Sequence, residues 1–247
     1  MEPAILTTAG FLTEKAAESA ALHETIQKPL EISYKAAEWN DSVELAPSPV
    51  TMEKLNVLLD SEKYRKLSEF RELSQTNPDT IQEAYNNVHL KGQMGESLME
   101  AKLSQFGETR SQIPVQLENA TSGNRIDLQI MESNSNLRQV EMNVQGGEIT
   151  LDRNYDLMKG ESASFEVKNG GLPYLRSELL NGELQQQIAA GKQISDHSFV
   201  VINENTAKAL FQNPDLAAQV ITEIQEAGGK LIAGLPSQSV QLAIFMS

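Results

Sequence analysis

Two short segments, Arg125-Ile126-Asp127-Leu128 and Phe165-Glu166-Val167-Lys168, indicate both the fold and the chemistry of this chain of 247 residues. Each has the composition expected at the end of a β-strand. Side chains two residues apart in a strand point to the same face, so Glu166 and Lys168 should lie together. A carboxylate on one strand and a Glu-x-Lys on its neighbour are the groups needed to hold a divalent metal and orient a water molecule.

The elements around these segments predict an α/β (α+β) protein with a mixed central sheet. A helix is expected over 91–105, with strands at 113–117, 126–130, 163–167 and 198–202 and helices at 176–190 and 215–227. Closing strands are expected at 231–233 and 240–245. The insertion at 131–162 contains Gln145-Gly146-Gly147 between two strand-like runs, which predicts a projecting β-hairpin.

The first 90 residues differ in character from the rest. Apolar residues recur at helical spacing over 11–38, 50–73 and 79–90, and no strand pattern is present. We therefore expect a helical N-terminal accessory region at 1–90 and a catalytic domain at 91–247. On this interpretation, cutting the chain near Val88 should leave an active fragment.

Composition limits the classes of function. The formal net charge is −14, which argues against a protein that coats nucleic acid through bulk electrostatics but allows a local basic groove. Cysteine is absent, which excludes disulfides and thiolate metal sites, and the three histidines are too scattered to suggest zinc. The start of the chain shows no secretory signal, and no apolar run predicts a membrane anchor. We expect a cytoplasmic protein, or one delivered into a target cell by a secretion system.

The chemistry suggested by the two strand ends is phosphodiester hydrolysis. Mg²⁺ and Mn²⁺ prefer oxygen ligands, and Asp127, Glu166 and the backbone carbonyl of Val167 are the expected ones. Lys168 would lie beside the attacking water or a phosphate oxygen. The simpler interpretations are a solvated strand face for Asp127 and a surface ion pair for Glu166 and Lys168.

This pattern resembles the PD-(D/E)xK nuclease superfamily, which has the restriction-endonuclease-like fold, over roughly residues 91–203. The resemblance implies two further site residues, Glu96 in the first core helix and a glutamine in the helix after Glu-x-Lys. Gln186, the middle of Gln185-Gln186-Gln187, is the expected glutamine.

A compact nuclease behind a helical region also resembles the toxin domains of bacterial competition systems. That resemblance implies a DNA substrate, a Mg²⁺- or Mn²⁺-dependent endodeoxyribonuclease activity and a cognate immunity protein. Two alternatives remain at this point: a catalytically inactive protein-binding module of the same fold, and an RNA- or tRNA-cleaving toxin.

Overall fold

A computed structural model describes residues 47–77, 79–117 and 123–246 of the chain. Its helices, in chain order, are α1 (Pro49–Leu59), α2 (Arg65–Thr76), α3 (Asp79–Asn86), α4 (Val88–Leu103), α5 (Leu172–Leu180), α6 (Glu183–Ile194), α7 (Glu204–Phe211), α8 (Pro214–Glu226) and α9 (Gln238–Met246). A single 3₁₀ turn, Glu62–Tyr64, joins α1 to α2.

The described strands are β1 (Gly107–Val115), β2 (Asn124–Ser133), β3 (Leu137–Gln145), β4 (Glu148–Leu157), β5 (Ala163–Lys168), β6 (His197–Asn203) and β7 (Lys230–Leu235). They form one sheet in the order β1-β2-β5-β6-β7-β3-β4. The β5–β6 and β6–β7 pairs are parallel, and the other pairs are antiparallel. The predicted α/β class with a mixed sheet flanked by helices is therefore confirmed.

The structure corrects two predicted elements and adds one that was not predicted. The helix expected over 176–190 is two helices, because Gly182 adopts a left-handed conformation with φ 71° between them. Helix α7 was not predicted; it begins directly after β6, where the side chain of Asn203 accepts a hydrogen bond from the Thr206 amide. The strand expected over 240–245 is helix α9, which buries Gln241, Leu242 and Phe245 at helical spacing.

The hairpin in the insertion is confirmed, but it does not project from the molecule. Strands β3 and β4 pair along their length around Gly146 and Gly147, whose positive φ angles of 60° and 84° suit glycine in a tight turn. Glu141 of β3 pairs with Ile232 of β7, so the hairpin completes one end of the sheet.

The helices before residue 91 share a hydrophobic core with the sheet. Five fully or almost fully buried side chains of this region belong to the same apolar cluster as Leu128 and Phe165: Leu55, Leu59, Tyr64, Leu67 and Phe70. Residues 43–247 form one compact unit, so the expected division at residue 90 does not coincide with a boundary between compact units. The helix expected within 11–38 lies outside the described residues.

Among the described helices, none combines the length and the apolar character needed to cross a bilayer.

Candidate active site

The candidate site forms where β2 and β5 separate. Their antiparallel register runs from Ile130–Ala163 to Leu128–Phe165 and ends there. Just past the last pair, Oδ2 of the half-buried Asp127 accepts a hydrogen bond of 2.9 Å from the backbone amide of Val167. The carboxylate thus takes the place of a backbone partner and fixes the two strand ends relative to each other.

Glu166 is the most deeply buried carboxylate of the site, with 1% of its side chain exposed. Neither of its carboxylate oxygens has a hydrogen-bond partner among the described residues. Lys168 Nζ lies 3.8 Å from Glu166 Oε2, which is an ion-pair distance but longer than a hydrogen bond. Lys168 is therefore a nearby cation for Glu166, but the carboxylate lacks the direct hydrogen bonds that usually compensate for burial.

Lys168 is held by two helices. Its Nζ lies 2.7 Å from Oε2 of Glu178 in α5 and donates a hydrogen bond of 2.8 Å to Oε1 of Gln187 in α6. Glu178 is buried, and its contact with Lys168 could not be predicted from the spacing of the motif. The only sequence signal was its charge, since an acid on an otherwise apolar helix face must find a cation when it is buried.

The glutamine of α6 that contacts Lys168 is Gln187 and not the expected Gln186. Helix α6 buries Leu184 and Ile188, four residues apart, against the sheet. Gln187 flanks this buried stripe and reaches Lys168, whereas Gln186 points to the exposed side of the helix.

Burial and mutual repulsion act on the acids of the site. Burial raises the pKa of Asp127, and burial together with the nearby charge of Asp127 raises that of Glu166 well above its ordinary value. Burial lowers the pKa of Lys168, but the charges of Glu166, Glu178 and Asp127 outweigh this, so the net shift is upward and the lysine stays cationic.

Glu96, on helix α4, lies near Asp127. Its Oε2 accepts a hydrogen bond of 2.9 Å from Nε2 of Gln112 and is 3.9 Å from Nζ of Lys63. Burial, followed by the charge of Asp127, raises the pKa of Glu96 from 4.5 to about 7. Glu96, the acid expected from the first core helix, is therefore close enough to Asp127 to interact with it electrostatically.

Gln112 has a positive φ of 57°, and it is the one non-glycine residue with this conformation among those described. Such a conformation costs on the order of 1–3 kcal/mol and persists only where its surroundings enforce it. Here it coincides with the hydrogen bond to Glu96, which marks β1 as a contributor to the site.

The 3₁₀ turn before α2 adds two residues that sequence reasoning did not include. Lys63 Nζ lies 2.9 Å from Oε2 of Glu100, and the buried hydroxyl of Tyr64 donates to the same oxygen at 2.7 Å. Because Lys63 also lies near Glu96, the N-terminal region contributes a positive charge to the candidate site. No local pattern could have indicated this, since 33 to 37 residues of chain separate the partners.

Asn169, directly after the Glu-x-Lys strand, anchors the strand end through buried amides. Its Nδ2 donates to the Lys91 carbonyl and to Gln241 Oε1, both at 2.6 Å. Its Oδ1 accepts from Asn203 at 3.1 Å and from Gln241 at 2.9 Å. Strand β5, strand β6 and helices α4 and α9 are thus linked one residue away from Lys168.

A divalent cation fits the donor set of the site. The Glu166 oxygens, which have no hydrogen-bond partner among the described residues, supply a buried acceptor pair, and Asp127 supplies a second carboxylate. In a β-strand, the N–H and C=O groups of one residue point toward the same neighbouring strand. The Val167 amide donates to Asp127 of β2, so the Val167 carbonyl also faces β2. Within the described residues, no group of three or more histidine, cysteine or acidic side chains is close enough to hold a metal. The two carboxylates, the carbonyl and several waters match the incomplete protein shell that Mg²⁺ commonly has.

Comparison of the chain with protein-family models, with curated proteins and with solved structures gave no match.

Proposed function

We propose that this chain is a metal-dependent endonuclease that hydrolyses phosphodiester bonds of DNA. The observation that carries the proposal is the convergence of Asp127, Glu166 and Lys168 where β2 and β5 separate, with neither oxygen of Glu166 hydrogen-bonded to a described residue. The order of elements around them also supports the proposal. Helix α4 is followed by β1, β2 and β5, with the hairpin β3–β4 inserted before β5, and then by a helical segment and the parallel strand β6, as expected for a PD-(D/E)xK nuclease with an insertion.

Each residue of the candidate site has a distinct role in the proposed reaction. Asp127, Glu166 and the carbonyl of Val167 would hold Mg²⁺ or Mn²⁺, and the bound ion would supply an activated water and charge neutralisation. Lys168 holds a positive charge beside Glu166, where negative charge develops on a phosphate in the transition state. Glu178 and Gln187 position the lysine, and Glu96 is placed to accept a proton at near-neutral pH.

The proposal is tested by incubating the full chain with supercoiled plasmid DNA and, separately, with total RNA. Each incubation is carried out in Mg²⁺ and in EDTA. We expect Mg²⁺-dependent cleavage of DNA by the native protein. Asp127→Asn should abolish it while keeping an oxygen acceptor for the Val167 amide, and the exposed Asp215→Asn on α8 is the matched control. Cleavage of RNA alone would favour the RNase alternative. Cleavage of neither, by a folded protein that binds Mg²⁺, would favour the inactive module.

Lys168→Met provides the second arm of the test. We expect the single-turnover cleavage rate to fall by about two or more orders of magnitude, because the interaction strengthens in the transition state. Its folded state must be checked by circular dichroism, since the substitution leaves Glu166 and Glu178 buried without their cation. A variant that binds DNA more weakly but cleaves at the native single-turnover rate would reduce Lys168 to a phosphate contact.

An antibacterial role is the narrower part of the proposal, and it rests on the resemblance to competition toxins. Expression of the native chain in bacteria should then be toxic, Asp127→Asn should relieve the toxicity, and a neighbouring immunity gene should relieve it in the native case. If the Asp127→Asn variant were still toxic, the toxicity would not arise from the candidate active site.

A further inference from the structure

A second polar cleft lies at the other end of the sheet, where β3 leaves β7. The register between these strands consists of the pair Glu141–Ile232, and toward Leu137 they carry no further register pair. The opening is a cleft of about 400 Å³. It is bounded by Asn136 and residues 137–140 of β3, by Arg153 and Tyr155 of β4, by Ala233 of β7, by Lys102 of α4 and by Phe106 after α4.

Three cations line this cleft in a chain of net charge −14: Lys102, Arg138 and Arg153. No carboxylate is among the lining residues that the structure describes. Lys102 and Arg153 make no ion pair with a described residue, and the guanidinium of Arg138 lies 4.7 Å from the ring centre of Tyr155. The ring orients that guanidinium without neutralising it. Burial lowers the pKa of Lys102, a shift that a bound anion would oppose.

The two arginines of the cleft share one face of the β3–β4 hairpin. Arg138 pairs with Tyr155 and Val140 pairs with Arg153, so strand alternation places both guanidinium groups on the same side and turns Gln139 to the opposite, buried side. This placement lets one anion approach both arginines.

We propose that this cleft is a phosphate-binding site, in which Arg138 and Arg153 bind a phosphoryl group and Lys102 adds positive charge. Guanidinium groups suit phosphate because their planar donors match its oxygens. The phosphate could belong to a nucleic-acid backbone or to a free pyrophosphate-type ligand, and the chemistry at the cleft is the same for both.

The cleft is separate from the candidate active site. Strand β3 lies three strands from β5, which corresponds to roughly 14 Å across a sheet. Lys102 follows Glu96 by six residues on α4, or about 9 Å along the helix axis. A polyanion bound at the active site would therefore need only a few nucleotides to reach the cleft, but the proposal holds for a free phosphate whether or not the chain is a nuclease.

The test uses the full chain in EDTA, so that no anion binds through a metal. Inorganic pyrophosphate is titrated by calorimetry, and a fluorescent 20-base-pair duplex by anisotropy. The variant Arg138→Gln/Arg153→Gln is compared with Arg71→Gln/Arg110→Gln, which removes the same charge from two arginines outside the cleft. We expect the native protein and the control to bind at least one probe, and the cleft variant to bind it at least about tenfold more weakly.

Each result has a defined meaning. Loss of duplex binding alone identifies nucleic acid as the source of the phosphate, and loss of pyrophosphate binding alone identifies a free ligand. The proposal is overturned if neither probe binds the native protein, or if the two double variants bind equally well. Plasmid cleavage, measured separately in Mg²⁺, reports on the proposed nuclease and is independent of these outcomes.

Discussion

Glu96 shows at the scale of one residue how burial couples the candidate site to pH. Its pKa of about 7 in the folded protein exceeds its ordinary 4.5, so between these values the folded chain binds more protons at Glu96 than the unfolded chain does. The contribution of Glu96 therefore favours folding at low pH. Between pH 4.5 and about 7, the free energy of unfolding falls by up to about 1.4 kcal/mol per pH unit because of this one group.

Glu96→Gln should remove this slope. In EDTA, the free energy of unfolding from urea titrations at pH 5, 6, 7 and 8 should fall less steeply with pH in the variant than in the native protein. Glu226→Gln, at an exposed position near the end of α8, is the control and should leave the slope unchanged. Equal slopes in Glu96→Gln and the native protein would show that Glu96 is not buried as an acid of raised pKa.

Helix α4 contributes to the site at the scale of an element because one of its glycines allows close packing. A Cβ built on Gly95 would lie 2.8 Å from the Cβ of Asn169, the residue that anchors the end of β5. Gly92, one turn earlier on the same helix, has open space around it. The two positions form a matched pair in which helix propensity is the same and packing differs.

Gly95→Ala should lower the free energy of unfolding by about 1–3 kcal/mol, because the added methyl group must displace Asn169 or the helix. Gly92→Ala should raise it by up to about 1 kcal/mol, because alanine favours a helix interior. Urea denaturation monitored by circular dichroism measures both. Similar stabilisation by the two substitutions would contradict the close approach of α4 to Asn169.

The whole molecule depends on helices that precede the expected catalytic domain. Leu55, Leu59 and Leu67 are buried in the same core as the sheet, and Lys63 lies beside Glu96. A fragment beginning near residue 91 would expose the apolar face that these helices cover. This reverses the outcome expected from the sequence for a cut near Val88.

We therefore expect a fragment of residues 43–247 to keep a cooperative thermal transition and a fragment of 91–247 to aggregate. Limited proteolysis of the full chain, followed by mass spectrometry, should yield no stable fragment beginning between residues 75 and 95. A stable, folded product beginning there would restore the two-unit organisation predicted from the sequence.

The sequence by itself determined the features that depend on neighbouring residues. The short apolar runs at 126–130 and 163–167 predicted strands β2 and β5, and the glycine pair at 146–147 predicted the hairpin turn, because both patterns act over a few residues. The assignment of Glu166 and Lys168 to one site followed from the two-residue period of a strand. The α/β class followed from the order of these local signals.

Only the tertiary structure decided which residues complete the site. Choosing Gln187 over Gln186 requires the rotation of α6 about its axis, which depends on what Leu184 and Ile188 pack against. The apolar run at 240–245 suits either a strand or a helix, and packing of Phe245 and Leu242 in the core made it a helix. Lys63 and Glu178 reach the site through contacts between elements distant in the sequence, and such contacts leave no local pattern to read.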